Sequence, residues 1–190
     1  MRFSSRIRTV FLFLSILLVL PLSVTADAFF SYADYNSILK SYVHVDGAKS
    51  SVNYTQLKKN REPLDAFVKR ITEVPEKNFR SWPPEHQLAF LINAYNALTL
   101  QLVIDHYPIS SIKDVGSKDS SPWKKNFFSL FGKERNLDFL EHELIRKRFN
   151  EPRIHFVLVC AAVSCPSLRQ TAYSGEGIRR QLEERTIPVS

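Results

Sequence analysis

SWPPEHQLAFLINAYNALTLQLVIDHYP, residues 81–108, is the stretch on which the fold turns. Pro83 and Pro84 stand where a helix can start and Pro108 where it must stop, since proline fits a first turn but cannot continue a helix. Between them Leu88, Phe90, Leu91, Ile92, Leu98, Leu100, Leu102, Val103 and Ile104 go most of the way round a helix of about 84–107. A helix that is apolar on nearly every side is one that other elements surround, so this segment is predicted to form the centre of the core. Asn93 and Asn96 interrupt it three residues apart, on one face. Buried amides must find partners.

Outward from this helix the pattern stays mixed. Upstream, Leu64, Phe67, Val68 and Ile71 recur at i, i+3, i+4 and i+7 and predict an amphipathic helix over 62–73 with Pro63 in its first turn. Asp34 is read as the cap of an earlier short helix carrying Ile38, Leu39, Tyr42 and Val43, and HVDGAKSS (44–51) as a loop. Downstream, residues 108–126 read as loop, and FFSLF, Gly132-Lys133 and ERNL as a short hairpin. Asp138 with Glu141 makes a capping box for the helix FLEHELIRKRF. RIHFVLVCAA then alternates with both faces apolar, which predicts an interior strand over 153–161. The class expected is α+β: mostly helical, with a long central helix and a small sheet that includes strand 153–161. A helical N-terminal region (29–80) leads into a core of 81–190.

The 190 residues carry a formal charge of +7, with 26 Lys and Arg against 19 Asp and Glu. Arg2, Arg6 and Arg8 fall in the first ten residues, and the remaining basic residues are interleaved with acids as on solvated helix faces. No dense basic stripe or aromatic stacking motif points to nucleic acid. The three arginines precede an apolar run from Val10 to Leu20, then Pro21 and the small residues of SVTADA, the order of a secretory signal peptide over 1–28. The run is short of the roughly 20 residues of a membrane span, so cleavage is expected, with an uncleaved N-terminal anchor as the alternative. Either way the folded part is expected outside the cytoplasm, periplasmic or extracellular, where peripheral membrane association is also open to it.

Two cysteines, Cys160 and Cys165, lie in and just after the expected strand. Pro166 biases Cys165 away from helical backbone and is itself favoured at a first helical position. A helix beginning at Pro166 would make Cys165 its N-cap, where the helix dipole lowers a thiol pKa. A thiolate there needs a base, for which His142 and His155 are candidates, with Asn93, Asn96 or Glu141 to orient it or hold an oxyanion. His142 shares a helix face with Phe139, Ile145 and Phe149 and is expected to point at least partly inward. Against this chemistry stand plainer readings: Cys165 as a small residue in a tight turn, Cys160 as core, and the histidines and asparagines as hydrogen-bonded members of the interior. A Cys160–Cys165 disulfide is open too. Five residues of extended strand span about 16 Å against the roughly 4.4–6.8 Å a bridge allows, so it would require a sharp reversal within AAVS. A metal site from His142, His155 and Cys165 lacks the short paired spacings of zinc sites, and no cofactor motif is present.

Three stretches together resemble the domain of unknown function 547 family. QLAFLINAYNALTLQLV is similar to the family's Asn-Ala-Tyr-Asn helix at Asn93, Ala94, Tyr95 and Asn96, and LDFLEHELIRKRF to its Leu-Asp-x-x-Glu-His segment at Glu141 and His142. RIHFVLVCAAVSCPSLRQTAY is similar to its third block at Arg153, His155, Cys160, Cys165, Pro166 and Tyr173. The resemblance implies an exported or membrane-associated protein without an established activity, with more helix and strand beyond TIPVS, so a core cut short at its C-terminus. A redox label attached to some relatives transfers poorly to a chain without Cys-x-x-Cys. The leading expectation is a cysteine-dependent hydrolase or acyl transferase acting on a small-molecule or peptide substrate. The alternatives are a noncatalytic envelope interaction module, in which the same polar residues pin the central helix to the strand, and a thiol–disulfide redox protein.

Overall fold

The computed structural model describes residues 29–116, 121–161 and 165–186. The expected signal peptide, 1–28, and the final residues 187–190 lie outside them. In order, the elements are α1 (Ala33–Tyr42), β1 (Val43–Asp46), β2 (Lys49–Val52), α2 (Tyr54–Lys59), α3 (Glu62–Thr72), α4 (Glu76–Ser81), α5 (Pro84–His106), β3 (Phe128–Leu130), β4 (Lys133–Arg135), α6 (Leu137–Phe139) and α7 (Ile178–Glu183). Both sheets are two-stranded antiparallel hairpins, so the fold is α+β with helix predominating.

α5 is the axis of the molecule. Every residue from Gln87 to Leu100 is buried, with α2, α3, α6 and α7 packed around it and α1 against α3. By length and composition α5 could cross a membrane, but its surface is spent on the core. Each fully buried Leu, Ile or Phe contributes about 1.5–3 kcal/mol of transfer free energy, and Phe90, Leu91, Ile92 and Leu98 are all sealed from solvent. α3 buries Leu64, Phe67, Val68 and Ile71, the spacing read from sequence, and the Phe67 ring stacks on Tyr35 of α1 with centroids 4.5 Å apart.

Several local expectations change. HVDGAKSS is not a loop: it supplies most of the hairpin β1–β2, in which His44 faces Ser51 and Asp46 faces Lys49, closed through Gly47 at φ +55°. Asp34 does not cap α1; it lies within the first turn and pairs with Arg70, Oδ2 to Nη1 3.3 Å. The hairpin β3–β4 is present, but its turn is Phe131-Gly132, both with positive φ. The helix after it is capped by Asn136, whose side chain accepts from the Phe139 amide at 2.8 Å, rather than by Asp138. Beyond α6 it widens into a π-helix over Leu140–Arg146.

The largest departure is at 153–161, which is not a strand. Pro152–Phe156 form a 3-10 turn capped by Glu151, whose side chain accepts from the Arg153 amide. Ile154 and Val157 are both buried, three residues apart, the spacing at which a 3-10 turn superposes its side chains. From Leu158 to Cys160 the chain belongs to no helix or strand ladder, and it reaches Ala161 at φ +55°.

Candidate functional site

The candidate residues meet where α5 faces the irregular C-terminal stretch, and the two asparagines organise it. Asn93 donates from Nδ2 to the Tyr173 carbonyl (2.7 Å) and accepts at Oδ1 from the Tyr173 amide (3.0 Å). Asn96 donates to the Val157 carbonyl (3.1 Å) and accepts from the Val159 amide (2.9 Å). Each side-chain amide thus offers one donor and one acceptor to backbone outside any ladder, the pair of bonds a neighbouring strand would supply. Other polar side chains extend the pattern. Asn36 accepts from the Ala172 amide, Ser50 from the Leu168 amide, and Gln181 bonds both the Ala172 carbonyl and the Ser174 amide. Asn36, Ser50 and Gln181 were not among the residues singled out from sequence. The only signal that could have found them is that backbone outside a ladder must be satisfied by something.

Burial raises the hydroxyls gathered here. Tyr173 is pushed up to about 12, and Tyr32 well above its usual value against a hydrogen bond from Asn93 that partly offsets the burial. These phenols stay neutral and act as packing groups with a polar tip.

Cys160 and Cys165 are joined in a disulfide, with alpha carbons 5.7 Å apart. The reversal this requires follows Cys160, where Ala161 takes a left-handed backbone. Residues 166–169 are not helical, so Cys165 is not a helix N-cap and no helix dipole acts on it. The physical reason is that Ser167 and Leu168 are held instead to the first hairpin, through Ser167 Oγ to the Ala48 carbonyl and the Leu168 amide to Ser50.

His142 does not point inward: it is exposed on the π-helix, 3.9 Å from Asp138 across one turn. The wider π turn places Leu140 and Ile145 in the core instead. Glu141 accepts from Arg146 Nε at 2.9 Å and faces the buried Tyr95 hydroxyl, whose pKa is raised first by burial and then by this carboxylate. His155 is also exposed, but it shares a cleft of about 380 Å³ with Cys165, lined besides by Ala48, Lys49, Phe156, Pro166, Ser167 and Arg185. His142 lines neither of the two clefts to which Cys165 contributes. Of the expected catalytic set, then, the structure brings His155 to Cys165's cleft, sets Asn93 and Asn96 behind it in the interior, and leaves Glu141 and His142 on another face. Among the described residues no three of His, Cys, Asp and Glu gather so as to hold a metal ion.

A second cleft of about 380 Å³ lies at the start of α5, lined by Glu85, Arg148, Glu151, Arg153 and Arg179 among others. Four of its charges are paired: Arg179 with Glu85 at 2.9 Å, and Arg153 with Glu151 at 2.6 Å and with Glu183, outside the lining, at 2.8 Å. Arginine hydrogen bonds hold Glu85 and Glu151 below the usual carboxylate range. Arg148 donates to Gln87 Oε1 (2.8 Å) and lies over the Phe79 ring.

A single long helix encased by shorter ones, with a disulfide-closed C-terminal stretch fastened to it by side-chain amides, defines the class: a helix-centred α+β domain. Its sequence matches the model of the protein family of unknown function DUF547 over residues 79–187, more than half of the chain, and the chain belongs to that family. No curated protein and no solved structure matches it.

Proposed function

We propose that the chain works outside the cytoplasm as a noncatalytic binding domain. The observation that carries this reading is that Asn93, Asn96, Cys160 and Cys165 are all consumed in holding the fold: each amide uses donor and acceptor on backbone, and the sulfurs bond each other. Disulfides persist in oxidising compartments, which agrees with the leader read at residues 1–28. A hydrolase or acyl transferase would need the bond opened before Cys165 could attack a carbonyl, because the thiolate is the nucleophile. The test is alkylation with iodoacetamide of protein recovered from the exported fraction, with and without reductant, read by mass spectrometry. Labelling only after reduction is expected. Rapid labelling of Cys165 without reductant, slowed by His155→Ala, would overturn the noncatalytic reading.

A second reading, thiol–disulfide exchange, is favoured by one observation: Cys165 lines two clefts at the surface. It requires the bond to open in millimolar glutathione buffers. A bond that stays closed there removes it.

A further inference from the structure

We propose that the cleft beside the disulfide binds a small anionic ligand, a phosphate or carboxylate group carried next to an apolar moiety. The inference rests on reading the chain as a binding domain and names the chemistry of what it binds. Many arginines elsewhere are matched: Arg61, Arg70, Arg80, Arg153, Arg169 and Arg179 each pair with a carboxylate, while Arg135 and Arg148 lie over aromatic rings. The cleft differs. It gathers Lys49, His155 and Arg185, and among the described residues no Asp or Glu lines it. None of the three makes an ion pair among the described residues, and the neighbouring Glu184 is engaged by Arg169 and Arg180.

Arg185 is fixed in place rather than waving in solvent. Its Nη2 donates to the Ser167 carbonyl at 2.8 Å, while its Nε is buried without a hydrogen-bond partner among the described residues. An anion in the cleft would accept from the guanidinium Nη groups, a charge-assisted contact stronger than a neutral one. Lys49 is presented by the hairpin β1–β2 and His155 by the 3-10 turn, so the three basic side chains come from three separate segments that the fold brings together. The apolar part of the site is Phe156, an exposed large hydrophobic at 45% accessibility, with Pro166 opposite. About 380 Å³ falls within the usual size range of a small-ligand site, and a lining about half polar suits a charged group carried beside a short apolar one.

The experiment titrates the full oxidised chain with hexyl phosphate, inorganic phosphate and 1-hexanol, following the His155 and Phe156 resonances by NMR. Hexyl phosphate is expected to bind saturably and more tightly than either fragment. Lys49→Ala should weaken it by about 1.5- to 5-fold, the range for one partly solvated ion pair, and Arg185→Gln by up to about tenfold. Because Arg185 also bonds Ser167, Lys49→Ala is the variant that keeps the test independent of folding. Absence of saturable shifts overturns the proposal, as does unchanged affinity in the Lys49→Ala, Arg185→Gln double variant. So does inorganic phosphate binding as tightly as its hexyl ester. A membrane lipid and a soluble ester could both present this group: co-sedimentation with phosphatidylglycerol vesicles assigns the ligand to the lipid, and binding without co-sedimentation to the soluble ester, either supporting the site. Free, reactive thiols together with intact hexyl phosphate binding would remove the noncatalytic reading and leave this one standing.

Discussion

Asn93 and Asn96 sit inside the molecule, each with a donor and an acceptor engaged on backbone, whereas Lys49, His155 and Arg185, a few residues away along the same C-terminal stretch or against it, carry no matching acid among the described residues. Inside, polarity is a fastening: it replaces a strand that the fold does not have. At the surface, three basic side chains face one cleft with no acid among its described lining, the charge imbalance on which the proposed anion site rests. The cleft at the start of α5 sharpens the contrast, having the same volume but with Arg153 and Arg179 closed upon Glu151 and Glu85.

The contrast breaks first if the interior amides are dispensable. Asn96→Ala strips partners from the Val157 carbonyl and the Val159 amide, each about 1–3 kcal/mol when left buried and unsatisfied, so a loss on the order of 10 °C in melting temperature is expected by calorimetry. An unchanged melt would mean that the amide serves something other than the fold. Next is the disulfide: Cys160→Ser with Cys165→Ser reopens a short loop, worth about 2 kcal/mol by loop-closure entropy, measured as a lower urea midpoint with unchanged slope.

The third test concerns the matched cleft. Glu85 and Glu151 have folded-state pKa values below their unfolded ones, so their contribution is complete above the unfolded value near 4 and fades as pH falls through the lower folded value. Melting temperature is therefore expected to drop on acidification from pH 5 to 3, by a small amount since these pairs are largely solvated. Arg153→Gln should flatten that dependence. The smallest effect is expected at the unmatched cleft, where Lys49→Ala should move the melt by no more than about 2 °C. A large destabilisation there would make Lys49 structural and erase the distinction.

How much of this could be read from the residues depends on where the hydrogen bonds go. α3 and α5 were legible because apolar spacing and flanking prolines report a helix whose bonds are internal. The stretch 153–161 was not: its apolar alternation is real, with Ile154, Val157 and Leu158 buried, but its backbone is satisfied by Asn96 from 60 residues earlier, and no local pattern encodes that. The first hairpin was missed although Asp46-Gly47 is a turn signal, because its strands alternate weakly in polarity. At Asn136 and Asp138 two adequate caps stand two residues apart, and only geometry chooses. Placing Asn93 and Asn96 together on one face of a buried helix was correct from spacing alone. His142 was turned outward because the π-helix changes which residues share a face, and spacing rules assume 3.6 residues per turn.

The bonds from Asn96 to Val157 and Val159 have one more effect. A true strand at the rim of a sheet exposes a row of free amides and carbonyls that another chain can extend, the usual route to sticky assemblies. By giving that segment a side chain as its neighbour, and by turning away at Ala161, the molecule holds the stretch in place without offering a template for addition.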